Sequence, residues 1–205
     1  MWKRFRKETA VKPNPEEYEE KCELLDVLIV LFLLGYFDLR FADKTAFTFQ
    51  PNVPYGWIRK GQQQGIPSRK GGNLNVFGLM NYLGELTTYQ STKPVNFQTV
   101  INWLDDFAST LKRMTIVVID NVPWHVSKEI EDKIKEWEEL GLFIFYLAPY
   151  SPHLNTIETL WRKMKHTWLK PKNYINKETL HEGVNCILKN YNAGEYKINF
   201  TIKVK

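Results

Sequence analysis

Thr115 to Asn121 reads TIVVIDN, five apolar or β-branched residues delivering a carboxylate to a turn. An unbroken β-branched run is the mark of a strand buried on both faces, which needs helices packed on each side of its sheet. A second such run, LFIFYLAP, begins at Leu142. The intervening SKEIEDKIKEWEELG has Ser127 placed as an N-cap, Ile130, Ile134 and Trp137 on one stripe, and Gly141 as its stop. That is an amphipathic crossover helix between two parallel strands.

Upstream, NFQTVINWLDDFASTL repeats its apolar residues at helical spacing through Val100, Ile101, Leu104, Phe107, Ala108 and Leu111. Before it, glycine and proline punctuate apolar runs from Pro51 to Gln90, which predicts antiparallel hairpins and about three strands in succession. DLRFADKTAFTF alternates so that Leu39, Phe41 and Asp43 share one side of an extended chain. A helix is expected before this strand, one from Asn155 onward, and a last one over KETLHEGVNCILKNY. The order predicts a mixed α/β domain: antiparallel strands, then parallel strands joined by crossover helices, with helices on both faces. Residues 1–20 read as a charged arm or linker and residues 21–205 as one domain, the size a single core supports.

The apolar run Val27 to Phe37 is too short for a membrane span of about 20 residues, and the basic start lacks the apolar segment of a secretory signal. Cys22 and Cys186 stand far apart in no CxxC spacing, so a disulfide framework and a thiolate zinc site have no support; a reducing cytoplasmic setting is expected. The net charge of +5 suits a polyanionic partner without requiring one.

Three carboxylates stand where chemistry is done in such sheets. Asp120 follows a buried strand, Asp43 ends an apolar row, and Glu158 lies in the first turn of a helix. Each also has a bland reading. Asp120 suits a turn with Asn121, Val122 and Pro123; Asp43 is followed at once by Lys44; and Glu158, three residues after Asn155, is the glutamate of a capping box. As a set, acids from two strands and a helix can converge to bind Mg²⁺ or Mn²⁺, which take hard oxygen ligands, though a chain with 23 acidic residues offers many such trios.

FADKTAFTFQPNVPYGW, IPSRKGGNLNVFGLM, VVIDNVPWHVSK and LAPYSPHLNTIETLWRKMKHTWL together resemble the catalytic domain of the DDE transposases of bacterial insertion sequences, in the mariner-like superfamily. The resemblance implies a ribonuclease H-like fold, with Asp43, Asp120 and Glu158 as the metal-binding acids and two ions bound. It implies cleavage at element ends, joining of the freed 3′-hydroxyl to target DNA, and a homo-oligomer in the synaptic complex. His125 matches the family's histidine after the second aspartate, and with Asn121 it is an accessory candidate. Arg59, Lys60, Arg69 and Lys70, and Arg162 and Lys165 past Glu158, are candidate DNA contacts, with a solvated face as the alternative. Trp161 and Trp168 read as core.

The chain departs from the pattern at Lys44, where the family has glutamate, at Thr156, where it tends to proline, and in the apolar segment before Asp43. Its start resembles the linker after the family's helix-turn-helix region, so a separately encoded helix-turn-helix protein is an expected partner. A folded, catalytically inactive remnant that binds DNA or a partner transposase stays open as the alternative, as does a general nuclease of the same fold.

Overall fold

A computed structural model describes residues 14–49, 59–61, 72–120 and 128–200. Helix α1 (Pro15–Leu33) leads into strand β1 (Asp38–Thr48), the hairpin strands β2 (Asn73–Met80) and β3 (Leu86–Ser91), α2 (Phe97–Ser109), β4 (Thr115–Ile119), α3 (Lys128–Glu139), β5 (Leu142–Tyr146), α4 (Ile157–Lys163) and α5 (Lys177–Lys189). Asn14 caps α1, its side chain accepting from Glu16 N, with proline at the first helical position. Residues 15–20, assigned above to the arm, therefore form the first turns of α1.

The five strands order as β3-β2-β1-β4-β5. The three early strands pair antiparallel, while β4 joins β1 and β5 joins β4 in parallel. This is the mixed sheet expected from the order of elements.

Both faces are covered, as the unbroken β-branched run requires. On one, α2 and α3 bring Val100, Leu104, Phe107, Ile130 and Trp137 against Phe77, Leu79, Val117 and Leu142. On the other, α1, α4 and α5 pack Ile29, Phe32, Ile157, Trp161 and Val184 against Leu39, Phe41, Phe47 and Val118. Trp161 and Trp168 are buried, as read from the sequence. Among the described residues no helix is long and apolar enough to cross a membrane.

Candidate metal centre

The register of β1 on β4 builds the site. Its last ladder pair is Ala42 with Ile119, so Asp43 and Asp120 are the next residues on two parallel neighbours. Strands lie about 4.8 Å apart, which sets the two carboxylates side by side at the carboxyl edge. Opposite Asp43 on β2 is Gly78. A Cβ there would come within 2.8 Å of Trp161 and 2.9 Å of Ile157, so the missing side chain is what lets α4 approach the sheet. Glu158, in the first turn of α4, then reaches the same point: Asp43, Asp120 and Glu158 each offer an oxygen within 4.8 Å of the other two.

The local reading of Asn155 fails. The residue before α4 is Thr156, whose side chain makes no capping bond; Asn155 contributes only its backbone carbonyl, to Glu158 N at 3.1 Å. Its buried side chain turns inward, donating to the Ala42 carbonyl at 3.1 Å and to Asp120 Oδ1 at 3.3 Å. It ties the α4 approach to β1 at Ala42 and to Asp120 just past β4, a role that spacing within the stretch does not reveal. Its buried Oδ1 accepts no hydrogen bond among the described residues.

Electrostatics mark the cluster as under-neutralised. Burial pushes the Asp43 carboxyl up from 3.8 to about 7, and the charges of Glu158 and Asp120 add to this. Burial also raises Asp120, with the Asn155 hydrogen bond opposing, and raises Glu158, with Asp120 adding and Lys165 and Arg162 opposing. The Trp161 indole N–H favours ionised Asp43 but finds no acceptor within hydrogen-bond geometry among the described residues. Mutually repelling carboxylates, all raised by burial and Asp43 up to about 7, are the environment that a divalent cation relieves. Three carboxylates beside an unsatisfied amide oxygen fit Mg²⁺ or Mn²⁺.

Lys165 belongs to this site as much as to the surface. It sits on a π-helical turn, Met164–Trp168, that continues α4, and its half-buried ammonium donates to Thr45 Oγ1 and lies over the Phe47 ring. Burial lowers its pKa, while Glu158 and Asp43 work against that. Arg162 is exposed on α4, where its charge favours ionised Glu158, and Arg59 and Lys60 are exposed. Lys44, which follows Asp43, turns to the other face and donates to the Val95 carbonyl at 3.4 Å. Asn121, His125, Arg69, Lys70 and the N-cap candidate Ser127 lie outside the described residues.

With this geometry in place, comparison with known proteins is informative. A family model described as DDE superfamily endonuclease matches residues 38–181, which include all three acids. The paired-end complex of the Mos1 mariner transposase with Mn superposes with a TM-score of 0.63 at 17% identity over 92% of this chain and 59% of that one. The Mos1 strand transfer complex gives 0.59 at 16% identity over 92% and 58%. A further Mos1 paired-end structure carries Mg. The mixed sheet is thus the ribonuclease H-like fold of that transposase. The chain spans about three fifths of the Mos1 chain's length. No curated protein sequence matches it.

Proposed function

We propose, from the premise that this chain belongs to the DDE superfamily of endonucleases, that it is a transposase catalytic domain that cuts DNA at element ends and joins it to target DNA. The observation carrying this is the convergence of Asp43, Asp120 and Glu158 from two strands and a helix onto one point. Two Mg²⁺ or Mn²⁺ ions held there would activate a water or 3′-hydroxyl and stabilise the leaving oxygen of a phosphodiester. The protein's own share is positional. Asn155 holds Asp120 to β1, Gly78 admits α4, and Lys165 sets an ammonium beside the acids for a DNA phosphate.

Arg162, with Arg59, Lys60, Arg69 and Lys70, extends the DNA contact in this proposal, and His125 and Asn121 serve as accessory groups. The working form is a homo-oligomer on two element ends, with a separately encoded helix-turn-helix protein as a candidate for end recognition. The placement of Lys44 supports an active copy: beside Asp43 and Asp120 on the wall of one cleft, its ammonium is taken up by the Val95 carbonyl.

The test is cleavage and joining of labelled element-end DNA by the purified chain with Mg²⁺ or Mn²⁺, with the helix-turn-helix region supplied. Asp120→Asn is expected to lose about 10³-fold or more in rate, a few kcal/mol of transition-state stabilisation, while staying folded. Equal rates for the two proteins would refute the proposal.

A further inference from the structure

Among the described residues, two buried side-chain polar atoms have no hydrogen-bond partner, and both stand at the acid cluster. One is Asn155 Oδ1, described above. The other is the indole Nε1 of Trp161, a side chain 2% exposed in the core on the α4 side of the sheet. A donor stranded in a dry interior destabilises the fold, so its persistence calls for a reason. The ordinary arrangement is present elsewhere in the molecule. Trp137 is also buried, and its Nε1 donates to Asp105 Oδ1 at 2.7 Å.

The surroundings of Trp161 aim its N–H at Asp43. Gly78 pairs with Asp43 in the β1–β2 ladder, and paired residues face the same side of a sheet. A Cβ on Gly78 would lie 2.8 Å from Trp161 Cη2 and 2.9 Å from Cζ2, on the ring edge next to Nε1, so that edge lies over the position beside Asp43. Phe47, four residues after Asp43 and therefore on the same side of β1, meets the indole edge to face at 6.4 Å and 81° and fixes its plane. The N–H is near enough to favour ionised Asp43, though short of hydrogen-bond geometry.

We propose that Trp161 is a positioning residue of the metal centre: its indole N–H holds one carboxylate oxygen of Asp43, which leaves the other turned toward a cation shared with Asp120 and Glu158. The inference rests on the function proposed above and adds to it the group that orients the first acid. Ligating carboxylates are themselves hydrogen-bonded from behind, and such bonds are often out of line until the site is loaded. Trp161 follows Glu158 by three residues on α4, so one helical face supplies the third acid and, a turn later, the donor for the first. Packing on Gly78 and Phe47 needs only the ring, whereas positioning needs the N–H.

That difference supplies the test. Trp161→Phe keeps an aromatic ring and removes the donor, and Trp137→Phe makes the same change where the donor serves the fold. In calorimetric titration with Mn²⁺, Trp161→Phe is expected to bind about tenfold or more weakly than wild type, and Trp137→Phe as tightly as wild type. A second readout needs no variant. In an NMR titration of the wild-type protein with Mg²⁺, the Trp161 indole proton, assigned through its contact with Phe47, should move downfield to a plateau as its bond to the carboxylate closes, while the Trp137 indole proton stays in place. Unchanged Mn²⁺ affinity in Trp161→Phe, equal losses in the two variants, or a Trp161 resonance unmoved at saturating Mg²⁺ would overturn the positioning role and leave the proposed function standing. Wild-type protein that takes up neither ion would remove both.

Discussion

Strand β1 carries two acids with opposite fates, one at its amino end and one at its middle. At the amino end, Asp38 is 7% exposed and fully engaged: Arg40 pairs with it, Asn81 Nδ2 donates to it at 3.1 Å, its own Oδ1 receives Leu39 N at 3.0 Å, and Arg113 lies at 4.0 Å. Arg40 in turn reaches Glu85. Five residues on, Asp43 is less buried, yet it faces two further carboxylates and its proton is held up to about 7. One cluster is electrically complete and serves the fold. The other is left incomplete at a cost to the fold, which is how a site that awaits a cation differs from a structural ion pair.

The contrast is sharpest in stability. Asp38→Asn leaves Arg40 buried against a weaker partner and should cost about 3–5 kcal/mol in denaturant unfolding, with the cleavage rate per folded molecule unchanged. Asp43→Asn should do the reverse, stabilising the metal-free protein by about 1–2 kcal/mol and abolishing cleavage. Destabilisation by both would erase the distinction.

The pH dependence has a definite sign. Because the folded-state pKa of Asp43 is raised from 3.8 to about 7, its contribution is fully present below about pH 4 and is lost as pH climbs through 7. Melting of the metal-free protein should show a loss of roughly 2 kcal/mol across that window after solvent screening, flattened in Asp43→Asn. The smallest effect belongs to Asn155→Ala, which strands the Ala42 carbonyl and frees Asp120 for about 1–2 kcal/mol. If Asn155 acted merely as a helix cap, the loss would come without any change in the affinity for Mn²⁺.

Much of this was readable in the chain, and the failures share one cause. Periodicity exposes β1, β4, β5, α2 and α3 because burial on a face repeats along the sequence. Asp43 and Asp120 stand out because each ends an apolar row, and Glu158 because it opens a helix. Asn155 was misread because capping is a local rule, whereas its partners are 113 and 35 residues away. Lys165 reads as a DNA contact or a solvated face, and its place beside the acids is not legible because nothing in its neighbours tells of Thr45, 120 residues earlier. Gly78 left a signal that could have been used: a lone glycine inside NLNVFGLM marks a place where another element comes close.

The central claim is that Asp43, Asp120 and Glu158 form one divalent-metal centre, and calorimetric titration of Mn²⁺ addresses it without DNA or turnover. The expected result is saturable binding to the wild-type chain, equal binding to Asp38→Asn at the completed end of the strand, and no detectable binding to Asp120→Asn or Glu158→Gln. Wild-type protein that takes up no Mn²⁺, or acid variants that bind it as tightly as wild type, would contradict the account.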